Sequence, residues 1–222
     1  GRTMGALAAT AQEKYQKAFR PLPEGFSSVP QGNLEALEQE IRPETCAVMM
    51  EPIQGESGIH VPTQEYMQGV QALCRKHNIL LILDEVQTGL GRTGKAFAFQ
   101  NFGVEPDIIS LAKAIGNGMP MGAIVAKNEV ADCFQPGDHA STFGGTPIAT
   151  AAGIAACSIL LEDNFLKKVQ ETGAYFKEQL NAIEARHPGR IAEVRGMGLM
   201  IGCELTGSSK AVTAELLKQG VL

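Results

Sequence analysis

Five branched apolar residues in a row, Ile79-Leu80-Leu81-Ile82-Leu83, run directly into Asp84-Glu85, and no other stretch constrains the fold of this chain as strongly. A run this short does not make an independent helix and suits a strand covered on both faces, the pattern of a parallel sheet. Asp84 then lies at the strand's C-terminal end, on the rim where open α/β sheets take their ligands. A second short strand is expected over residues 107–111, and Lys113 follows it. If the two strands run parallel in one sheet, Asp84 and Lys113 open onto the same rim. A lysine in a partly dry pocket gives up its proton and can condense with an aldehyde, while a carboxylate can keep a ring nitrogen protonated. The same two residues also fit a plainer reading, an aspartate that closes a strand and a solvated lysine.

The rest of the chain keeps a strand-helix-strand rhythm. Residues 10–20 read as a helix broken by Pro21-Leu22-Pro23-Glu24-Gly25, and Asn33 caps a short helix with Leu34, Leu37 and Ile41 on one face. Residues 45–50 read as a strand that delivers Glu51-Pro52-Ile53-Gln54-Gly55-Glu56 to its end, a second acidic rim. Thr63 opens a helix that Asn78 ends, and residues 122–126 make a further strand. Residues 141–161 carry no charge, but Thr146-Pro147 inside them is a helix start, which argues against a membrane span. Residues 164–187 read as an amphipathic helix with Leu166, Val169, Phe176, Leu180 and Ile183 inward. Strands at residues 191–194 and 199–205 then flank a turn at Arg195-Gly196-Met197-Gly198, forming a smaller sheet.

Gly89-Leu90-Gly91-Arg92-Thr93-Gly94-Lys95-Ala96 fits GxGxxG, and fits GxxxxGK up to the position where Ala96 stands in place of a magnesium-binding Ser or Thr. A nucleotide-binding module using residues 89–95 is therefore a rival reading, beside that of a plain loop. A net charge of −5 and a pI near 5.5 argue against a nucleic-acid or anionic-membrane surface. Cys46, Cys74, Cys133, Cys157 and Cys203 form no CxxC pair, which suits reduced thiols of a cytoplasmic protein and not a zinc site. His60, His77, His139 and His187 read as residues of loops and element ends.

Five motifs taken together carry a resemblance. Glu51-Pro-Ile-Gln-Gly-Glu56, Leu83-Asp-Glu-Val-Gln-Thr-Gly89, Leu111-Ala-Lys113, Ser141-Thr-Phe-Gly-Gly145 and Arg195-Gly-Met-Gly-Leu199 stand in the order found in the class III, pyridoxal-phosphate-dependent aminotransferases, which the whole chain resembles. Within that class the likeness is nearest to the acetylornithine branch, judged also by Gln12-Glu-Lys-Tyr15, Pro21-Leu-Pro-Glu-Gly25 and Phe134-Gln-Pro-Gly-Asp138. The resemblance implies an α/β fold: a partial fold-type-I large domain, mostly parallel sheet with flanking helices, over residues 1–155, then the start of a smaller α+β domain over residues 156–222. It implies transfer of the δ-amino group of N-acetylornithine to 2-oxoglutarate, with ornithine, succinylornithine and 4-aminobutyrate as alternative donors.

It also implies roles. Lys113 would bind the aldehyde of pyridoxal 5'-phosphate and shuttle the substrate proton, and Asp84 would pair with the pyridinium nitrogen. Val86 would pack on the ring and Gln87 would reach the phenolic oxygen. Thr142 would meet the phosphate of a neighbouring subunit's cofactor, which makes a homodimer part of the site. Glu56 would act as a gate carboxylate with Glu51 beside it. The family's ring-stacking aromatic precedes a Gly-Arg-Thr motif like the one that opens this chain, and the family's arginine partner for Glu56 would be expected beyond Leu222. The sequence therefore reads as an internal piece of a longer enzyme, inactive by itself.

Overall fold

In the computed structural model, which describes residues 2–222, four strands form one sheet of order β1-β2-β3-β4. β1 (Ala47–Met50), β2 (Leu80–Asp84) and β3 (Ile108–Leu111) are mutually parallel neighbours, and β4 (Ala123–Ala126) closes the sheet antiparallel to β3. Met50 stands beside Leu83 and Asp84 beside Ser110, so the C-terminal ends of the three parallel strands share a rim. The alternating pleat decides what β2 hides: Leu81 and Leu83 are buried, while Leu80, Ile82 and Asp84 on the other face are half-buried. This corrects the expectation of a strand fully covered on both sides. The covered side packs with Met67, Val70 and Cys74 of a single helix, and burial lifts the Cys74 thiol to a pKa of about 11.

The helices follow from local chemistry. In place of one helix over residues 10–20 there are α1 (Met4–Ala9), α2 (Glu13–Gln16) and a 3-10 turn, Lys17–Phe19. Thr10 ends α1 by donating its hydroxyl to Ala6 O (2.7 Å), and Gln16 Nε2 reaches back to Leu7 O (3.0 Å) and Thr10 O (2.7 Å). The segment is thereby folded on itself. Asn33 caps α3 (Leu34–Glu40), accepting from Ala36 N at 2.9 Å. Thr63 caps α4 (Gln64–His77) through Tyr66 N (3.1 Å), and Asn78 closes it in the left-handed conformation. Gln68 and Gln71 then tie α4 to the loop before β3 by donating to Phe102 O (3.1 Å) and Glu105 O (2.7 Å).

After β4 come α5 (Asn128–Ala131), α6 (Pro147–Leu160) and α7 (Asp163–Arg186). Thr146 precedes Pro147 as expected, but its hydroxyl turns back to Phe143 O (2.5 Å) and does not cap α6. No single helix among the described residues is long and apolar enough to cross a membrane. On α7 the buried positions are Val169 and Gly173, whereas Phe176 and Ile183 stay exposed, contrary to the expected inward stripe. At Gly173 α7 crosses the β5-β6 turn closely: a Cβ there would lie 2.0 Å from Gly198 O. β5 (Ile191–Met197) and β6 (Met200–Leu205) form an antiparallel second sheet, with Arg195, Gly196 and Met197 inside β5 and the turn confined to Gly198-Leu199. A last helix, α8 (Lys210–Lys218), completes the order.

The glycine loop is a packing seam. Gly91 N donates to Ala96 O (3.2 Å) and Gly94 N to Gly91 O (2.9 Å), so amides that a phosphate would need are already engaged. Outward, Gly94 O accepts from Gln170 Nε2 (2.5 Å) and Arg92 O from Leu199 N (3.0 Å), which fastens the loop to α7 and the β5-β6 turn. A 3-10 turn, Ala98–Asn101, follows, where a phosphate cradle would open a full helix. The nucleotide-module reading is set aside on this geometry.

Candidate active site

Where β2 ends, consecutive side chains go opposite ways. Asp84 turns to the rim, and its Oδ1 accepts from Val86 N (2.9 Å) and from Ser110 Oγ across the parallel pair (3.1 Å). Oδ2 has no protein hydrogen bond among the described residues and stays available to a ligand. Glu85 turns inward and is 1% exposed, with Oε1 accepting from Phe99 N (2.9 Å) and Oε2 from the Thr88 hydroxyl. Burial raises the Glu85 pKa above its ordinary 4.5, only partly offset by the donors from Thr88, Phe99 and Ala98.

That buried carboxyl carries a stability prediction. Glu85→Ala in the full-length protein leaves Phe99 N–H and the Thr88 hydroxyl unpaired in the core and is expected to cost about 3 kcal/mol or more in denaturant unfolding. A folded-state pKa above the unfolded one means the folded state holds the proton more tightly. The group's contribution is therefore full below its ordinary value and is lost as pH rises through the raised value. Glu85→Gln, which keeps acceptor and donor capacity, is expected to flatten that part of the stability profile.

Lys113 follows β3 in the left-handed region, φ +45°, where a side chain that is not glycine is disfavoured. A 3-10 turn, Lys113–Gly116, with Ile115 and Gly116 buried, holds it there and leaves the amine exposed. Glu51, just past β1, is half-buried and accepts from Gly55 N (2.9 Å). Burial pushes its pKa up, with the charges of Asp84 and Glu56 acting the same way and that of Lys113 opposing them. These four groups therefore share one electrostatic neighbourhood, and a cavity of about 560 Å³ opens beside Glu51, Gln54, Glu56 and Asp84. Gln87 packs against the backbone of Gly55, with its Oε1 buried and unpartnered among the described residues.

Two further expected residues complete the set. Val86 contributes its backbone N–H to Asp84 and is half-buried. Thr142 sits on an exposed loop and forms no side-chain hydrogen bond with the other site residues. Ser110 and Glu85 were not anticipated. Ser110 could be found only by pairing β2 with β3 in register, whereas Glu85 follows from strand alternation once Asp84 is assigned to the rim.

Residues 1–222 match the family model described as aminotransferase class-III. The chain is 51% identical over 223 residues to acetylornithine aminotransferase of Caldanaerobacter subterraneus subsp. tengcongensis, covering 100% of this chain and 56% of that protein. It is 48% identical over 223 residues to acetylornithine aminotransferase of Myxococcus xanthus, with 100% and 56% covered. Among solved structures, ornithine aminotransferase of Toxoplasma gondii superposes with a TM-score of 0.93 at 35% identity, covering 100% of this chain and 54% of that one. The chain thus spans about half the length of the curated relatives it matches.

Proposed function

The chain belongs to the class III aminotransferases, and on that premise we propose that its protein moves the δ-amino group of N-acetylornithine to 2-oxoglutarate, using pyridoxal 5'-phosphate. The products are N-acetylglutamate 5-semialdehyde and glutamate, in a step of arginine biosynthesis. The observation that carries the reading is Asp84, pinned on Oδ1 by Val86 N and Ser110 Oγ and free on Oδ2, on the same rim as Lys113.

The residues fit the cofactor's demands. When bound, pyridoxal phosphate supplies an aldehyde to hold the amine and a ring that draws electrons from the neighbouring carbon. Asp84 Oδ2 would hold a proton on the ring nitrogen, and the Gln87 side chain would donate from its Nε2 to the phenolic oxygen. Val86 would line the ring face. Lys113 Nζ would take the proton from the substrate carbon and return it one position away. Glu51 and Glu56 would border the substrate, attracting the ammonium of the donor. Thr142 would serve a partner subunit's site, which makes a homodimer, together with cytoplasmic location and the division at residues 1–155 and 156–222, part of the same proposal.

The direct test uses the full-length enzyme with 2-oxoglutarate as acceptor and compares kcat/KM across the four candidate donors. N-acetylornithine is expected to lead by roughly ten-fold or more, since a pocket that hydrogen-bonds a polar group rejects analogues lacking it. A lead for 4-aminobutyrate would reassign the substrate, and no glutamate formation with any donor would overturn the reading. A second expectation concerns the cradle. In Gly55→Ala the added Cβ would lie 1.4 Å from Gln87 Oε1, so the amide must leave its place. Cofactor affinity, measured by fluorescence titration, is expected to fall roughly ten-fold.

A further inference from the structure

We infer that Arg195 is a positioning residue for Glu56, and that through it the second sheet sets how the site discriminates between its ammonium-bearing, net-neutral donor and its dianionic acceptor. The inference rests on the aminotransferase reading above. Glu56 sits on a small hairpin, residues 54–60, closed by paired bonds between Gln54 and His60 (both 3.1 Å). One side is fixed to the rim, where Gly55 N donates to Glu51 Oε2 (2.9 Å). The other side is fixed by Arg195, which lies on β5 and is only 14% exposed in its side chain. Its Nε donates to Gly58 O (3.0 Å) and Ile59 O (3.1 Å), and Nη2 donates to Gly58 O (2.8 Å). Nη1 meanwhile pairs with Glu193 (2.7 Å) and Glu204, which hold the guanidinium in place.

The held backbone is strained at Ile59, a β-branched residue at φ +60°, so it needs outside contacts to persist. The hairpin also lies directly on β6, since a Cβ on Gly202 would meet Gly58 O at 3.1 Å. Glu56 is thus suspended between two anchors, one from each sheet. Held at the rim with Glu51 and Asp84, its charge favours an ammonium-bearing donor and opposes a second carboxylate on the acceptor. Releasing the Arg195 anchor lets Glu56 move away, weakening both effects.

The experiment uses the full-length holoenzyme and the variants Arg195→Met and Arg195→Lys. The lysine keeps a charge for Glu193 and Glu204, but its point charge does not reproduce the planar fork on two carbonyls. In both, the KM of the amino donor is expected to rise relative to that of 2-oxoglutarate, shifting their ratio roughly five-fold or more, with kcat changing less. In a Glu56→Gln background the same Arg195 substitutions are expected to leave the ratio unmoved, because the charge they act through is gone. Deuterium exchange at amides 55–60 is expected to quicken in Arg195→Lys at unchanged melting temperature. Equal shifts of both KM values, or a ratio shift that survives in Glu56→Gln, would overturn the role. If Arg195→Met fails to fold, Arg195→Lys alone decides. A wild-type enzyme that makes no glutamate overturns the function itself, and this role with it, whereas a normal wild type with an unmoved ratio overturns only the role.

Discussion

Lys113→Ala in the full-length enzyme is expected to lower turnover by about four orders of magnitude or more, because on the proposed function it would remove both the amine that holds the cofactor aldehyde and the base that moves the substrate proton. The competing lysines are poorly placed. Lys127 is held by Asp107 (2.9 Å) and Glu105 (3.8 Å), and its pKa is raised by that pairing, so it is a cation with its donors in use. Lys95 lies on the glycine seam, whose carbonyls and amides face α7 and the β5-β6 turn. Only Lys113 follows a parallel strand onto the rim beside Asp84. Borohydride reduction of the wild-type holoenzyme followed by peptide mapping is expected to find the pyridoxyl group on Lys113, with the visible absorbance lost on reduction. A label on Lys95 or Lys127 would sink the assignment.

For Asp84→Asn the expectation is a loss of about a hundred-fold or more in single-turnover rate, with cofactor affinity far less affected. The geometry decides which way the new amide must face. Oδ1 is where Val86 N and Ser110 Oγ donate, and the asparagine oxygen will keep that position. The NH2 then occupies the place of Oδ2 and presents hydrogens where a carboxylate would accept one. On the proposed pairing, a ring nitrogen opposite it would lose its proton, and with that proton most of the ring's pull on electrons. Ser110→Ala in the same background removes one of the two donors that enforce the orientation and is expected to restore part of the rate. An unchanged rate in Asp84→Asn would refute the pairing.

Much of this site could be read from the chain because its elements are short and strongly patterned. The strand that runs into Asp84, the Thr63 cap and the helix end at Asn78 are each settled within a few residues, although only one face of that strand is fully covered. What could not be read depends on partners far along the chain. The Arg195 clasp joins residues 137 apart, and the Ser110 bond needs the β2-β3 register, which no local pattern states. Residues 10–20 look helical until Gln16 finds carbonyls to its N-terminal side. The glycine loop misled for a different reason. Its glycines answer to close approach, Gly91 to Leu160 O at 3.0 Å and Gly94 to the Gln170 side chain at 2.4 Å for an added Cβ, and sequence alone does not separate that demand from a phosphate's.

The opposed directions of Asp84 and Glu85 make the end of β2 a matter of phase. Insert or delete one residue within Leu80–Asp84 while the strand stays paired, and the two acids exchange faces. The carboxylate proposed to meet the cofactor would be carried into the core against Phe99 and Thr88, and a longer, unpinned glutamate would take its place on the rim. Stability and chemistry would fail in the same step, by the same cause. Odd changes in length are therefore expected to be tolerated in loops such as that around residues 134–140, where side chains are exposed, and to be lethal to function between Leu80 and Gln87 even where every residue type is kept.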